Sequence, residues 1–155
     1  MASTVRSARD DPAITTWSAF LRAHAAIVGA LEREVEPETG LPLAWYDVLL
    51  ELNAADRGGL RMGELGERAV LSRTRVSRIV DELVAVGYAC RTPNPQDRRS
   101  SHAEITAEGR KALRKAAPRY FDAVRRNFSQ QLSAGQLTTI RAAMEGLIAH
   151  HAPPP

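Results

Sequence analysis

Two short amphipathic stretches, RMGELGERAV (61–70) and LSRTRVSRIVDELVAVGY (71–88), are joined by a turn of about three residues. Helices connected this tightly have little choice of geometry and form a helix-turn-helix. In the second stretch Val76, Ile79, Val80 and Leu83 share one face at helical spacing, and Ser72 stands where an N-cap belongs. After Gly87, YACRT and SHAEI read as short strands around a Pro/Asn/Asp-rich turn. Helix, turn, helix and hairpin in that order compose a winged helix.

The rest of the chain reads as helices with apolar seams. Asp11-Pro12 gives an N-cap followed by proline at the first helical position, and Ile14, Trp17, Leu21, His24, Val28 and Leu31 follow at steps of three and four. This helix is expected to end near Glu34. Pro42 opens PLAWYDVLLELNAA, which is apolar around most of its circumference, with Asp47 and Glu51 sharing one face. Such a helix must be buried on nearly every side. DRGG then breaks the chain.

Thr106 caps a further helix whose seam is Leu113, Ala117, Tyr120, Val124 and Phe128, with a kink expected at Pro118. Ser133 and Gln136 form a capping box for the last helix, with Leu132 and Leu137 at the staple positions; it should end near His150. The fold expected is therefore mainly α with a small β wing. One domain, 1–155, contains a winged helix-turn-helix module over 42–106, flanked by dimerisation helices over 12–36 and 107–150. The terminal helices carry more apolar surface than the small central module can cover, and a homodimer is the economical solution.

Charge is unevenly distributed. Residues 56–115 hold 13 Lys/Arg against eight Asp/Glu, a net of +5, and the remainder holds eight against ten, a net of −2. A basic module between mildly acidic flanks points to a polyanionic partner. Aromatic residues make up 5% of the chain, too few for a platform that stacks single-stranded bases. One cysteine excludes an intramolecular disulfide, no apolar run approaches a membrane span, and the first residues lack a signal-peptide core. A cytoplasmic location is expected, without a membrane partner.

The binding chemistry concentrates on the second helix of the helix-turn-helix. At 100° per residue, Thr74, Ser77, Arg78 and Asp81 fall opposite the apolar face, with Arg73 and Arg75 on its flanks. Guanidinium groups can donate bidentately to guanine, hydroxyls reach bases or phosphates, and a helix N-terminus favours anions, so Ser72, Arg73, Thr74, Arg75, Ser77 and Arg78 suit a DNA major groove. An ordinary solvated helix face is the competing explanation, and the arginine-tipped hairpin that follows weighs against it. A glycine-rich phosphate loop, a nucleophile motif and a metal-ligand cluster are all missing, so neither catalysis nor a metal or other cofactor is expected.

The run LSRTRVSRIVDELVAVGYACRT…DRRSSHAEITAEGRKAL, with GLPLAWYDVLLEL before it, resembles the MarR (multiple-antibiotic-resistance regulator) family of winged-helix transcription factors. The features that carry the likeness are SRIVDEL, Gly87, the wing DRR and the exit ITAEGR; the resemblance spans residues 12–150. It implies a dimer that reads a palindromic double-stranded operator with two recognition helices. It further implies that Arg99 enters a minor groove, steered by Asp97, while Arg98 touches phosphate. A narrow A·T-rich minor groove would favour such an arginine.

Many members of that family bind small aromatic acids, and the likeness makes Trp17, His24, Trp45, Tyr46 and Asp47 ligand-binding candidates. Core packing is the bland alternative for both tryptophans and for His24. Peroxide-sensing members use a cysteine near the N-terminus, which this chain lacks; Cys90, on the wing's first strand, is expected to be a buried structural thiol. Zinc-sensing members cluster ligands, and His24, His102, His150 and His151 show no such spacing. The expected function is a repressor released from DNA by a small aromatic or phenolic ligand. The rivals are a winged helix used for protein–protein contacts and a DNA-binding regulator that senses no ligand.

Overall fold

A computed structural model describes residues 11–55, 59–94 and 97–152, with backbone alone for 94 and 97–100. Its elements are α1 (Pro12–Thr39), α2 (Leu43–Ala54), β1 (Leu60–Arg61), α3 (Met62–Arg68), α4 (Arg73–Ala85), β2 (Ala89–Asn94), β3 (Asp97–Ile105), α5 (Ala107–Asn127) and α6 (Ala134–His151). A single 3-10 turn, Ser129–Gln131, precedes α6. The described residues gather into two compact units, with boundaries inside α1 and α5. A winged-helix unit runs from Glu32 to Phe121; a helical unit combines the chain up to Leu31 with the chain from Asp122 onward.

The four caps expected from sequence are formed. Asp11 Oδ1 accepts from Ala13 N at 2.8 Å, Ser72 Oγ from Arg75 N at 3.3 Å and Thr106 Oγ1 from Gly109 N at 3.1 Å. At α6 the capping box is reciprocal: Ser133 N donates to Gln136 Oε1 at 2.8 Å, and Gln136 N to Ser133 Oγ at 3.3 Å. Each satisfies amides that the first helical turn leaves without partners.

The core of the winged-helix unit joins α2, α3, α4, the sheet and the first half of α5. Tyr46, Val48, Leu49 and Leu52 of α2 meet Val76, Ile79, Val80 and Leu83 of α4, with Leu65 of α3 and Leu113 and Ala116 of α5. Tyr46 also stacks on Tyr120 of α5, with ring centroids 4.1 Å apart and planes inclined by 16°. As expected from its apolar circumference, α2 is covered on most sides, with only Leu50, Asn53 and Ala54 of its residues exposed. Burying each of these larger side chains stabilises the fold by roughly 1.5–3 kcal/mol before the entropy of ordering is counted.

The sheet has the order β1-β3-β2 and is antiparallel throughout. The two-residue β1, which pairs Leu60 with Ala103 and Arg61 with His102, is too short to leave any periodicity in the sequence. Gly59 precedes it with φ of +72°, and a Cβ there would collide with the Ala103 carbonyl. Gly109 explains the exit motif ITAEGR. Its α-carbon faces the Tyr88 carbonyl so closely that no Cβ fits, while Thr106 Oγ1 donates to the Gly87 carbonyl at 2.7 Å. The start of α5 is thereby seated on the turn that ends α4.

Two expectations need correction. Helix α1 continues past Glu34 to Thr39, because Pro37 in the last turn removes one hydrogen bond without ending the helix. The stop comes at Gly40, with φ of +69° and its amide donating to Glu36 O at 2.8 Å. Cys90 is exposed, not buried: Ala89 points into the core, and the two-residue period of β2 turns its neighbour outward. In α1, Ile14, Trp17 and Leu21 of the seam are exposed, Val28 is half-buried and Leu31 is buried, in line with the surplus apolar surface expected of the terminal helices. Helix α5 runs through Pro118 as one element.

Candidate nucleic-acid interface

Helix α4 is held by its inner face and by both flanks. Val76, Ile79, Val80 and Leu83 are buried, leaving Ser72, Arg73, Thr74, Arg75 and Arg78 exposed on the other side. Among the described residues, Arg73, Thr74 and Arg75 have no side-chain partner within the chain. Ser77 differs. It is half-buried, and its hydroxyl and carbonyl both receive the Arg91 guanidinium, at 3.1 and 3.2 Å.

Arg91 lies on β2 two residues after the inward-facing Ala89, so the strand period aims it at α4. The same Nη2 lies 3.2 Å from Asp81 Oδ1, while its Nε is buried without a hydrogen-bond partner. The wing's first strand is thus tied to the middle of α4. Sequence reading missed this tie. A charged side chain sharing a strand face with a core alanine is the signal that could have revealed it, because such a charge needs a partner.

A second tie runs from α2. Trp45 Nε1 donates to Glu82 Oε2 at 3.0 Å, and Glu82 Oε1 lies 3.4 Å from Arg78 Nε. Trp45 therefore has an internal partner, as Tyr46 does in its stack on Tyr120. Next to them, the Asp47 carboxyl is pushed up from 3.8 to about 6, first by burial and then by the nearby Glu51 carboxylate. Burial also raises the Tyr46 hydroxyl to about 12, with further contributions from Tyr120 and Asp47. Of the five ligand-binding candidates, Trp45, Tyr46 and Asp47 thus belong to the winged-helix unit, whereas Trp17 and His24 belong to the helical unit.

On the wing, β3 begins at Asp97, which pairs with Asn94 of β2. Asp97, Arg98 and Arg99 are therefore strand residues at the distal end of the hairpin; their side chains fall outside the described ones. Within the helical unit, α1, α5 and α6 leave an apolar hollow of about 590 Å³, with Phe20, His24, Val28, Val124, Phe128 and Ile140 in its wall. His24 and Thr16 are the polar side chains lining it. Among the described residues no cluster of His, Cys, Asp and Glu could hold a metal ion, and no helix is long and apolar enough to cross a membrane.

A helix-turn-helix whose second helix is exposed on its basic side, followed by a two-stranded hairpin that the preceding β1 extends to a three-stranded sheet, defines a winged helix. Residues 39–100 match the MarR family model. The fold is similar to that of Sco3205, a MarR family transcriptional regulator from Streptomyces coelicolor solved in complex with DNA. That likeness has a TM-score of 0.81 and 30% identity, covering 90% of this chain and 87% of that one. AbsC, another MarR family regulator from the same organism, aligns with a TM-score of 0.77 and 26% identity over 88% of this chain and 91% of its own.

Among curated proteins, the HTH-type transcriptional regulator PrsX of Escherichia coli is 34% identical over 70 residues. That match covers 45% of this chain and 42% of PrsX, so it spans less than half the relative's length. The chain belongs to the MarR family, whose members are winged-helix transcriptional regulators rather than enzymes.

Proposed function

We propose that this regulator binds a palindromic double-stranded operator as a homodimer, placing α4 of each subunit in a major groove and the wing beside it. The observation that carries this reading is the exposed set Arg73, Thr74 and Arg75 at the capped N-terminal end of α4, which has no side-chain partner among the described residues. Arg78 extends that face by one turn, and Ser72 supplies a hydroxyl beside it. Ser77, with its hydroxyl engaged by Arg91, contributes through the position of the helix. Arg99 is assigned to a minor groove with Asp97 steering it, and Arg98 to phosphate. The DNA-bound state of Sco3205 supports the partner class.

The test is selection of duplexes from a random-sequence pool. A palindrome with half-sites about 10 bp apart should emerge. Arg73→Ala or Arg75→Ala should weaken binding to it by on the order of 1–3 kcal/mol and relax preference at one base pair per half-site. Binding to an acidic protein with no duplex preference would instead favour a protein–protein module.

Homodimer formation is supported by the exposed apolar residues of the helical unit, including Trp17, 57% exposed, and Ile148, 71% exposed. Repression relieved by a small aromatic acid is the regulatory part of the proposal, with Trp17, His24, Trp45, Tyr46 and Asp47 as contacts. The internal partners of Trp45 and Tyr46 favour a second reading, a regulator that senses no ligand through these residues. Titrating the protein–operator complex with a panel of aromatic carboxylates separates the two: release of DNA supports sensing, and undiminished binding supports the second reading.

A further inference from the structure

We propose that Glu82 is a positioning residue for DNA readout: fixed by the Trp45 indole, it aims the Arg78 guanidinium. The inference rests on the DNA-binding reading above and adds residues that do not themselves belong to the groove-facing set. Three observations carry it. Glu82 has its two oxygens divided between partners, Oε2 accepting from Trp45 Nε1 at 3.0 Å and Oε1 facing Arg78 Nε at 3.4 Å. Trp45 itself packs against the core cluster through α2, so the carboxylate is fixed from the rigid side. Arg78 has no other partner among the described residues and is largely exposed.

The pair does not look like a device for helix stability. Along a helix the favourable order places the acid four residues before the base, in line with the helix dipole; here Arg78 precedes Glu82, the weaker order. An exposed ion pair also usually forfeits its attraction to the entropy of holding two long side chains still. The indole bond changes that balance, because one partner is already immobilised before the pair forms. The geometry at Arg78 then has a direct consequence. The pair uses Nε on a largely exposed side chain, which leaves the two terminal nitrogens without a partner among the described residues, a fork of the kind that recognises guanine O6 and N7. A carboxylate beside a phosphate-rich surface costs non-specific affinity, so the arrangement exchanges general attraction for direction.

The experiment uses the full chain and the consensus duplex that wild type enriches from a random pool, beside a scrambled duplex of the same composition. Glu82→Gln keeps an acceptor for the indole and removes the charge. It should bind scrambled DNA more tightly while its ratio of consensus to scrambled affinity falls about five-fold or more, the scale of one bidentate base contact. Trp45→Phe leaves net charge unchanged and should lower the ratio with little change on scrambled DNA. In an Arg78→Ala background, Glu82→Gln should cause no further loss of ratio, as coupling through one contact requires.

Thermal unfolding of each variant checks the fold, and Glu82→Gln preserves the packing if Trp45→Phe does not. Equal tightening on both duplexes by Glu82→Gln would overturn the inference, since the carboxylate would then be mere repulsion. An undiminished ratio in a folded Trp45→Phe protein, or a full additional loss in the Arg78→Ala background, would overturn it too. If wild type enriches no sequence, the DNA-binding reading itself fails, a result distinct from these.

Discussion

In the winged-helix unit, the inner face of α4 is entirely covered: Val76, Ile79, Val80 and Leu83 lie within the core. In the helical unit, α1 leaves Ile14, Trp17, Phe20 and Leu21 exposed, α6 leaves Leu147 and Ile148 exposed, and no residue of α6 is buried. Both kinds of helix are well capped, so local signals do not distinguish them. What differs is the availability of a second surface. Helix α4 finds α2, α3 and the sheet within its own chain, whereas the apolar stripe of the terminal helices finds too few partners there. Self-sufficient packing belongs to the part proposed to read DNA, and unfinished packing to the part proposed to meet a second copy.

The largest expected effect breaks the comparison on its unfinished side. Leu21→Glu should convert the protein to a monomer by light scattering at micromolar concentration. Symmetry would bury the new charge twice in the dimer, at a cost of roughly several kcal/mol each time. A dimer that survives this change would show that α1 is a solvated surface. On the finished side, Leu83→Ala should destabilise the winged-helix unit by about 2–5 kcal/mol, seen as a lower denaturant midpoint. A loss well under 1 kcal/mol would mean that this core is looser than its burial indicates.

Asp47 sharpens the comparison within the winged-helix unit. Its folded carboxyl titrates near 6 against 3.8 for an unperturbed group, so the folded state holds a proton that the unfolded chain has already released. The ionised form therefore costs stability at neutral pH, and the cost is relieved as pH falls from about 6 towards 4. Asp47→Asn should raise stability at pH 8 by on the order of 1 kcal/mol, after allowing for the solvent that still reaches this half-buried group, and should flatten the profile between those values. Unaltered pH dependence in the variant would assign the titration elsewhere.

The smallest effect concerns the turn between α3 and α4. Val70 has φ of 55° and is 89% exposed, so a β-branched residue holds a left-handed conformation without burying its side chain. Val70→Gly should stabilise the protein by roughly 0.5–1 kcal/mol, the relief of strain less the entropy that glycine adds to the unfolded chain. A lower melting temperature would show that the turn is unstrained.

Much of this architecture was legible in the chain. Capping chemistry is local: a side-chain oxygen next to the first amides of a helix needs nothing distant, so Asp11, Ser72, Thr106 and Ser133 could be read directly. The inner face of α4 was equally legible, because a 3.6-residue period survives any environment. The exposed basic set Ser72, Arg73, Thr74, Arg75 and Arg78 followed as its geometric complement. The MarR likeness agrees with the family match over residues 39–100, which contains SRIVDEL and DRR, while ITAEGR lies just beyond it.

Other features depend on residues far apart in sequence. The partners of Trp45 and Arg91 sit 37 and 14 positions away, at distances set by how α2 and β2 pack on α4. The two-residue β1 exists because β3 offers it an edge, and Cys90 faces solvent because Ala89 took the inward position. Periodicity states which side chains share a face; it does not state what stands opposite. The sequence by itself determined the helices, their caps and the basic face of α4. Only tertiary structure decided which carboxylates and rings hold that face in place, because such contacts form between surfaces that the chain brings together after its local structure is already specified.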